Sequence, residues 1–347
     1  MVRTFAHSIA RRFTFLAILG LTLVAISASA AAQYKLTKLT ANQVGKAKHT
    51  DALLINGWGM AYGPSNPFWI SDAGDGWSTL YNAAGVPQSL QVIVPLANGT
   101  GFGSPTGIAF NGSPDFKIRN WASLFLFATL DGSIQGWSTF NPSASLVGVN
   151  NSAKKASYTG LGVTTKASGN FVYVANFNSG KVEMYSATFK LVKSFTDPKI
   201  PANFTPFNVQ DIGGKLYVTF AEKTGKTGGY VDVFSENAVL LKRLITGGPL
   251  NQPWGLAMAP ANFGPLSNTL LVGNNIDIAG TISGFNPTTG ALVGTLKDTK
   301  GNPIAIDQLW GIEFGGGTTA NGKTNQLFFA AGPNGYANGL FGVVNFK

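Results

Sequence analysis

Short apolar runs alternate along the chain with turn-forming Gly, Asn, Asp, Ser and Pro, and the alternation itself repeats. Each cycle opens on a small or turn-forming residue that leads into an apolar strand. The openings are Trp58-Gly59-Met60-Ala61, Thr106-Gly107-Ile108-Ala109, Gly160-Leu161, Phe207-Asn208-Val209, Trp254-Gly255-Leu256-Ala257 and Trp310-Gly311-Ile312. Taking Gly59, Gly107, Gly160, Asn208, Gly255 and Gly311 as equivalent, the steps are 48, 53, 48, 47 and 56 residues. A period near fifty with strand-like content predicts propeller blades, each a small four-stranded sheet.

The third cycle is the plainest copy. Gly160 to Val163 predicts an inner strand, Phe171 to Asn176 a second, and Lys181 to Tyr185 a third with the polar–apolar alternation of a half-buried strand. Leu191 to Phe195 completes the sheet. Third strands elsewhere end in an aromatic at Tyr81, Trp137, Phe234 and Phe285, as this one does at Tyr185. Such rings are expected to fill the widening gap between neighbouring blades. Gly or Asn in the inner strands fits backbones that converge near an axis. The sixth cycle stops after three strands, at Phe346, and Tyr34 to Leu39 is expected to supply its missing outer strand. The fold expected is therefore all-β: a six-bladed β-propeller with four antiparallel strands per blade, closed by the N-terminal strand, in one domain over 33–347.

Residues 1–32 read as a secretory signal peptide. Arg3, Arg11 and Arg12 precede an apolar run from Phe13 to Ile26, and small residues from Ser27 to Ala32 suit a peptidase. The protein is accordingly expected to be exported, to the periplasm or beyond, with no transmembrane span in the mature chain and as a monomer. Without the three leader arginines the formal charge falls from +10 to +7. The lysines are scattered rather than striped with aromatics, which argues against nucleic acid. The chain has no cysteine, so disulfides, thiolate chemistry and cysteine zinc sites are excluded. His49 is the one histidine outside the leader, which excludes a multi-histidine metal centre within one chain.

Several phrases together resemble an uncharacterised family of exported bacterial proteins. They are Leu54-Ile55-Asn56-Gly57-Trp58-Gly59, Pro105-Thr106-Gly107, Pro206-Phe207-Asn208, Asn251 to Pro260, Leu309-Trp310-Gly311, and Ala331-Gly332-Pro333-Asn334 followed by Gly339 to Gly342. The resemblance spans nearly the whole chain after the leader. It implies a six-bladed propeller distantly similar to NHL-type repeats and brings no established activity. The chain departs from the family pattern at Gly57, where proline is usual, and at Asn274-Asn275-Ile276-Asp277.

Candidate chemistry gathers at the ends of the second strands, which deliver Asp72, Asp131, Asn176, Glu222 and Asn274 to one mouth of the channel. These residues allow two readings. Asp131, Asn176, Glu222 and Asn274 supply the hard oxygens that calcium prefers; alternatively, all five cap tight turns by bonding nearby backbone N–H groups. The leading functional expectation is a binding module that takes a small ligand, a glycan or a loop of an envelope protein at this rim. Trp58, Trp254 and Trp310 would pack beneath the ligand or stack on it. The alternatives are a calcium-dependent lactonase or esterase, with Glu222, Asp131, Asp72 or His49 as proton-transfer group, and a purely structural envelope module. Six-bladed calcium-dependent lactonases offer only a fold-level analogy for the enzyme. Gly317 to Thr324 matches a P-loop in letters, but Leu327-Phe328-Phe329 after it predicts strand where a phosphate site needs a helix, so a hairpin loop is expected.

Overall fold

The computed structural model describes residues 34–166 and 169–347, and the expected leader lies outside them. Five sheets each take four antiparallel strands in chain order, from the blade that begins at Gly57–Ala61 to the one that begins at Pro253–Met258. The sixth sheet orders Leu309–Phe314, Gln326–Ala331, Leu340–Phe346 and then the N-terminal strand Tyr34–Ala41. Every inner strand touches the inner strand of the next blade, and that of the sixth touches that of the first. The result is the expected closed six-bladed propeller.

Closure rests on a long register. Tyr34 opposes Phe346 and Ala41 opposes Leu340, with one bulge between Lys38 and Thr40. The Tyr34 hydroxyl also donates to the Phe263 carbonyl of blade 5 at 2.7 Å, which fastens the seam to its neighbour. Pairing the termini removes two free edges from an otherwise open row of sheets. Beyond the closing strand, His49–Thr50 adds a short parallel strand.

The repeated glycine has a steric cause. A Cβ on Gly311 would lie 2.9 Å from the Trp58 carbonyl oxygen, and one on Gly255 would lie 2.6 Å from that of Trp310. Gly59, Gly107 and Gly160 press on blades 2, 3 and 4 in the same way. Asn208 is the exception, and it spans the equivalent gap by donating from Nδ2 to the Trp254 carbonyl at 2.9 Å.

The aromatics that end the third strands are buried between blades as expected. Trp137 packs on Trp69 of the preceding blade at 4.7 Å between ring centroids, and Phe234 packs on Phe195 at 5.0 Å. Across the seam, Tyr81 stacks on Phe341 at 5.5 Å. Aromatic pairs of this kind contribute roughly 0.5–1.5 kcal/mol each beyond their buried area. The P-loop look-alike is a hairpin loop that leads into the strand Gln326–Ala331, pinned by Asn321, whose Oδ1 accepts from the Thr318 N–H and hydroxyl. Among the described residues, no helix is long and apolar enough to cross a membrane.

Candidate functional site

The five rim residues stand at or just past the ends of second strands, and each is held by hydrogen bonds to its own hairpin or to a neighbouring loop. Asp131 accepts the Ala97 N–H and the Thr129 hydroxyl, both at 2.6 Å. Asn176 accepts from the Ser157 and Ser179 N–H groups and donates to Glu183 Oε1. One oxygen of Glu222 takes the Thr224 N–H, the Thr224 hydroxyl and the Lys226 N–H. These bonds hold its carboxyl below the usual range, with the Thr224 hydroxyl the largest influence. Asn274 accepts from the Asn251 N–H and donates to the Pro249 carbonyl and Thr281 hydroxyl.

Asp72 is fully buried, and one oxygen accepts the Thr79 N–H and hydroxyl. Its other oxygen has no partner. Burial, with the charge of Asp75 second, pushes its carboxyl well above the ordinary range. No hydrogen bond joins any two of these five residues. Among the described residues, no group of three or more Asp, Glu or His side chains gathers as a metal site.

Just inside this mouth the channel is closed by aromatics. All six inner strands carry a register irregularity at the repeated phrase. A bulge adds a residue to one strand and re-aims its side chain. The residues at that point, just before the repeated Gly or Asn, are Trp58, Thr106, Thr159, Phe207, Trp254 and Trp310, all buried. Trp58 and Trp310 stack at 3.6 Å between centroids, while Trp254 meets both edge-on. The Trp254 indole N–H donates to the Thr159 carbonyl, and that of Trp310 donates to Asn56 Oδ1. The tryptophans are therefore a packed plug rather than an exposed platform.

A local device in the sequence sets up the three tryptophan-bearing phrases. Asn56, Gln252 and Gln308 stand three residues before Gly59, Gly255 and Gly311, and each adopts a left-handed backbone with φ of 51°, 50° and 49°. That turn aims their carbonyls at the N–H groups of Ala73, Asn275 and Gly332, just past the second strands. The departure from the family pattern in blade 5 also gains a physical role. Asn275 donates to the Leu309 carbonyl and accepts the Tyr336 hydroxyl, and Tyr336 in turn stacks on Trp310.

Beyond the plug, at the opposite end of the inner strands, lies an axial cavity of about 230 Å³. It is lined by residues of all six inner strands, among them Tyr62, Phe110, Asn208, Gln210, Asp211 and Glu313, with Trp254 among its walls. The sequence reading missed this site. Its signal is the position two residues after the repeated Gly or Asn, which reads Ala61, Ala109, Gly162, Gln210, Ala257 and Glu313. Small residues in three blades, Ala61, Ala109 and Gly162, leave the space, and two blades project polar side chains from the equivalent place.

The electrostatics of the cavity are unusual. Glu313 keeps some accessible surface, but its Oε2 is buried with no hydrogen-bond partner. Burial alone pushes its carboxyl up to about 8. The Oδ1 of Asp211 is likewise buried and unpartnered, and burial, with Glu236 second, raises that carboxyl too. Burial and the nearby charge of Glu313 push the Tyr62 hydroxyl upward. Perturbed carboxyls in a concave pocket are a feature of functional sites.

No family model matches the chain. Two uncharacterised proteins of Acanthamoeba polyphaga mimivirus are similar over most of it. R648 is 28% identical over 90% of this chain and 80% of its own length, and L690 is 27% identical over 91% and 86%. R640, from the same virus, is 31% identical over 68% of this chain, which spans 47% of that protein. Among solved structures, streptogramin B lyase matches 90% of this chain and 98% of its own at a TM-score of 0.54 and 11% identity. The soluble aldose sugar dehydrogenase of Escherichia coli matches 91% and 100% at a TM-score of 0.55 and 12% identity. At such identities the likeness is one of fold, and fold does not carry activity.

Proposed function

We propose that this protein is an exported binding module that takes a small ligand in its axial cavity, at the mouth opposite the loop-bearing rim. The observation that carries the reading is an axial cavity lined by all six inner strands, with Trp254 of the tryptophan plug at its inner end and polar side chains from blades 4 and 6 in its wall. Export is supported by the pattern of the first 32 residues. Nothing at the rim favours the calcium-dependent lactonase or esterase over binding, because the named oxygens of Asp131, Asn176, Glu222 and Asn274 already accept hydrogen bonds from N–H groups of their own turn or of a neighbouring loop.

A thermal-shift screen of small molecules against wild type and Ala109→Leu tests the reading. Ala109 lines the cavity and also packs against the core between blades 2 and 3, so the variant's own melting temperature is measured beside the ligand shifts. Ligands that stabilise wild type are expected to lose their effect on the variant, since stabilisation tracks occupancy of the folded state. If every stabilising ligand acts equally on both proteins, the cavity is not the site.

A further inference from the structure

The chain as a whole is strongly basic, yet no Lys, Arg or His is among the residues that line the axial cavity. Its only ionisable carboxyls are Glu313 on blade 6 and Asp211 on blade 4. Each has a buried oxygen with no hydrogen-bond partner within the protein, a costly condition for a carboxylate unless something else completes it. Tyr62, Phe110 and Trp254 are also among the lining residues. Aromatic faces attract cations through their quadrupole, most strongly where water is excluded. Met60, Ile108, Leu161, Leu256 and Ile312 supply the apolar remainder.

From unpartnered carboxyls, aromatic residues in the wall and the absence of any wall cation, the geometry points to a small organic ammonium ion as the ligand of the axial cavity. This inference rests on the reading of the cavity as a binding site and adds the chemical class of the occupant. An ammonium head donates hydrogen bonds to Glu313 while its alkyl body lies on the aliphatic wall. A neutral ligand of the same shape leaves the carboxyl uncompensated, and an anion adds like charge to it.

The charged groups around the two acids are few. Tyr62 of blade 1 faces Glu313. Asp211 feels Glu236, and it feels Lys166, which is engaged in an ion pair with Glu236 at 2.7 Å. Because burial favours the protonated acid, a bound cation displaces a proton, so affinity rises with pH across the range in which Glu313 titrates.

Isobutylammonium, isobutanol and isobutyrate share a carbon skeleton and differ in charge, which makes them suitable probes for calorimetric titration. The expected result is that isobutylammonium binds at least about tenfold more tightly than isobutanol near pH 8, and that the preference shrinks towards about pH 5. Glu313→Gln is expected to abolish the preference, so that isobutylammonium binds no more tightly than isobutanol. That variant should melt no lower than wild type at neutral pH, so lost binding cannot be traced to unfolding. Equal binding of isobutanol and isobutylammonium, both lost in Ala109→Leu, overturns the cation class and leaves the cavity as a binding site. Failure of all three probes to bind wild type overturns it as well, and the cavity itself is then judged by the separate screen.

Discussion

Glu313 offers a test of the cavity that needs no ligand. Its carboxyl is pushed from an ordinary value of 4.5 to about 8 by burial alone. The folded protein therefore keeps a proton that the unfolded chain gives up between those values. This group's contribution to stability is accordingly fully present below pH 4.5, declines as pH rises, and is lost once pH passes about 8. At about 1.4 kcal/mol per pH unit the full shift corresponds to roughly 5 kcal/mol, and water entering the cavity screens this to about 2–4 kcal/mol. Glu313→Gln keeps the shape and removes the titration. Urea unfolding of both proteins from acid to mildly alkaline pH is the assay. The variant is expected to match wild type near pH 4 and to exceed it by about 2–4 kcal/mol near pH 9, or roughly 4–8 °C in Tm. Asp72, Asp75 and Asp232 also titrate high, but they are present in both proteins and cancel in the difference. A difference that stays flat with pH refutes the burial argument.

Two further substitutions probe the frame around the site. Gly255→Ala places a Cβ 2.6 Å from the Trp310 carbonyl oxygen, so the inner strands of blades 5 and 6 must part, at a cost of about 1–3 kcal/mol; unchanged denaturant unfolding would show that the repeated glycine has another cause. Asn274→Ala strips a buried turn of three hydrogen bonds and should cost about 2–3 kcal/mol. A variant as stable as wild type would make Asn274 a ligand-facing group again.

The blades were legible because their cause is repeated six times. Wherever inner strands converge, the backbone of one blade demands Gly or a bridging Asn in its neighbour, and wherever third strands diverge, the gap demands a ring such as Trp137 or Phe234. The rim was legible in its residues but not in their purpose. Asp and Asn suit a turn cap and a calcium ligand equally well, and residue type alone does not separate the two. The cavity was hidden for a different reason. Ile312-Glu313-Phe314 has the alternation of a half-buried strand, which places the glutamate on the solvent side. That side is solvent only in an isolated sheet; in a closed ring it becomes the wall of the channel.

One local irregularity joins the two ends of the channel. The bulge shared by the six inner strands falls where Trp58, Trp254 and Trp310 precede their glycines. Without the extra residue, strict alternation would put those indoles on the face that meets a neighbouring blade, where Gly255 leaves no room even for a methyl group. With it, the indoles turn to the axis and close the channel beneath the rim. The same step sets the register of the strand beyond the bulge, so that Ala61, Ala109, Gly162, Gln210 and Glu313 line the axial cavity. The plug excludes water from one side and thereby raises the cost of an unpaired charge on the other. The high carboxyl of Glu313 is a consequence of the repeat that builds the ring.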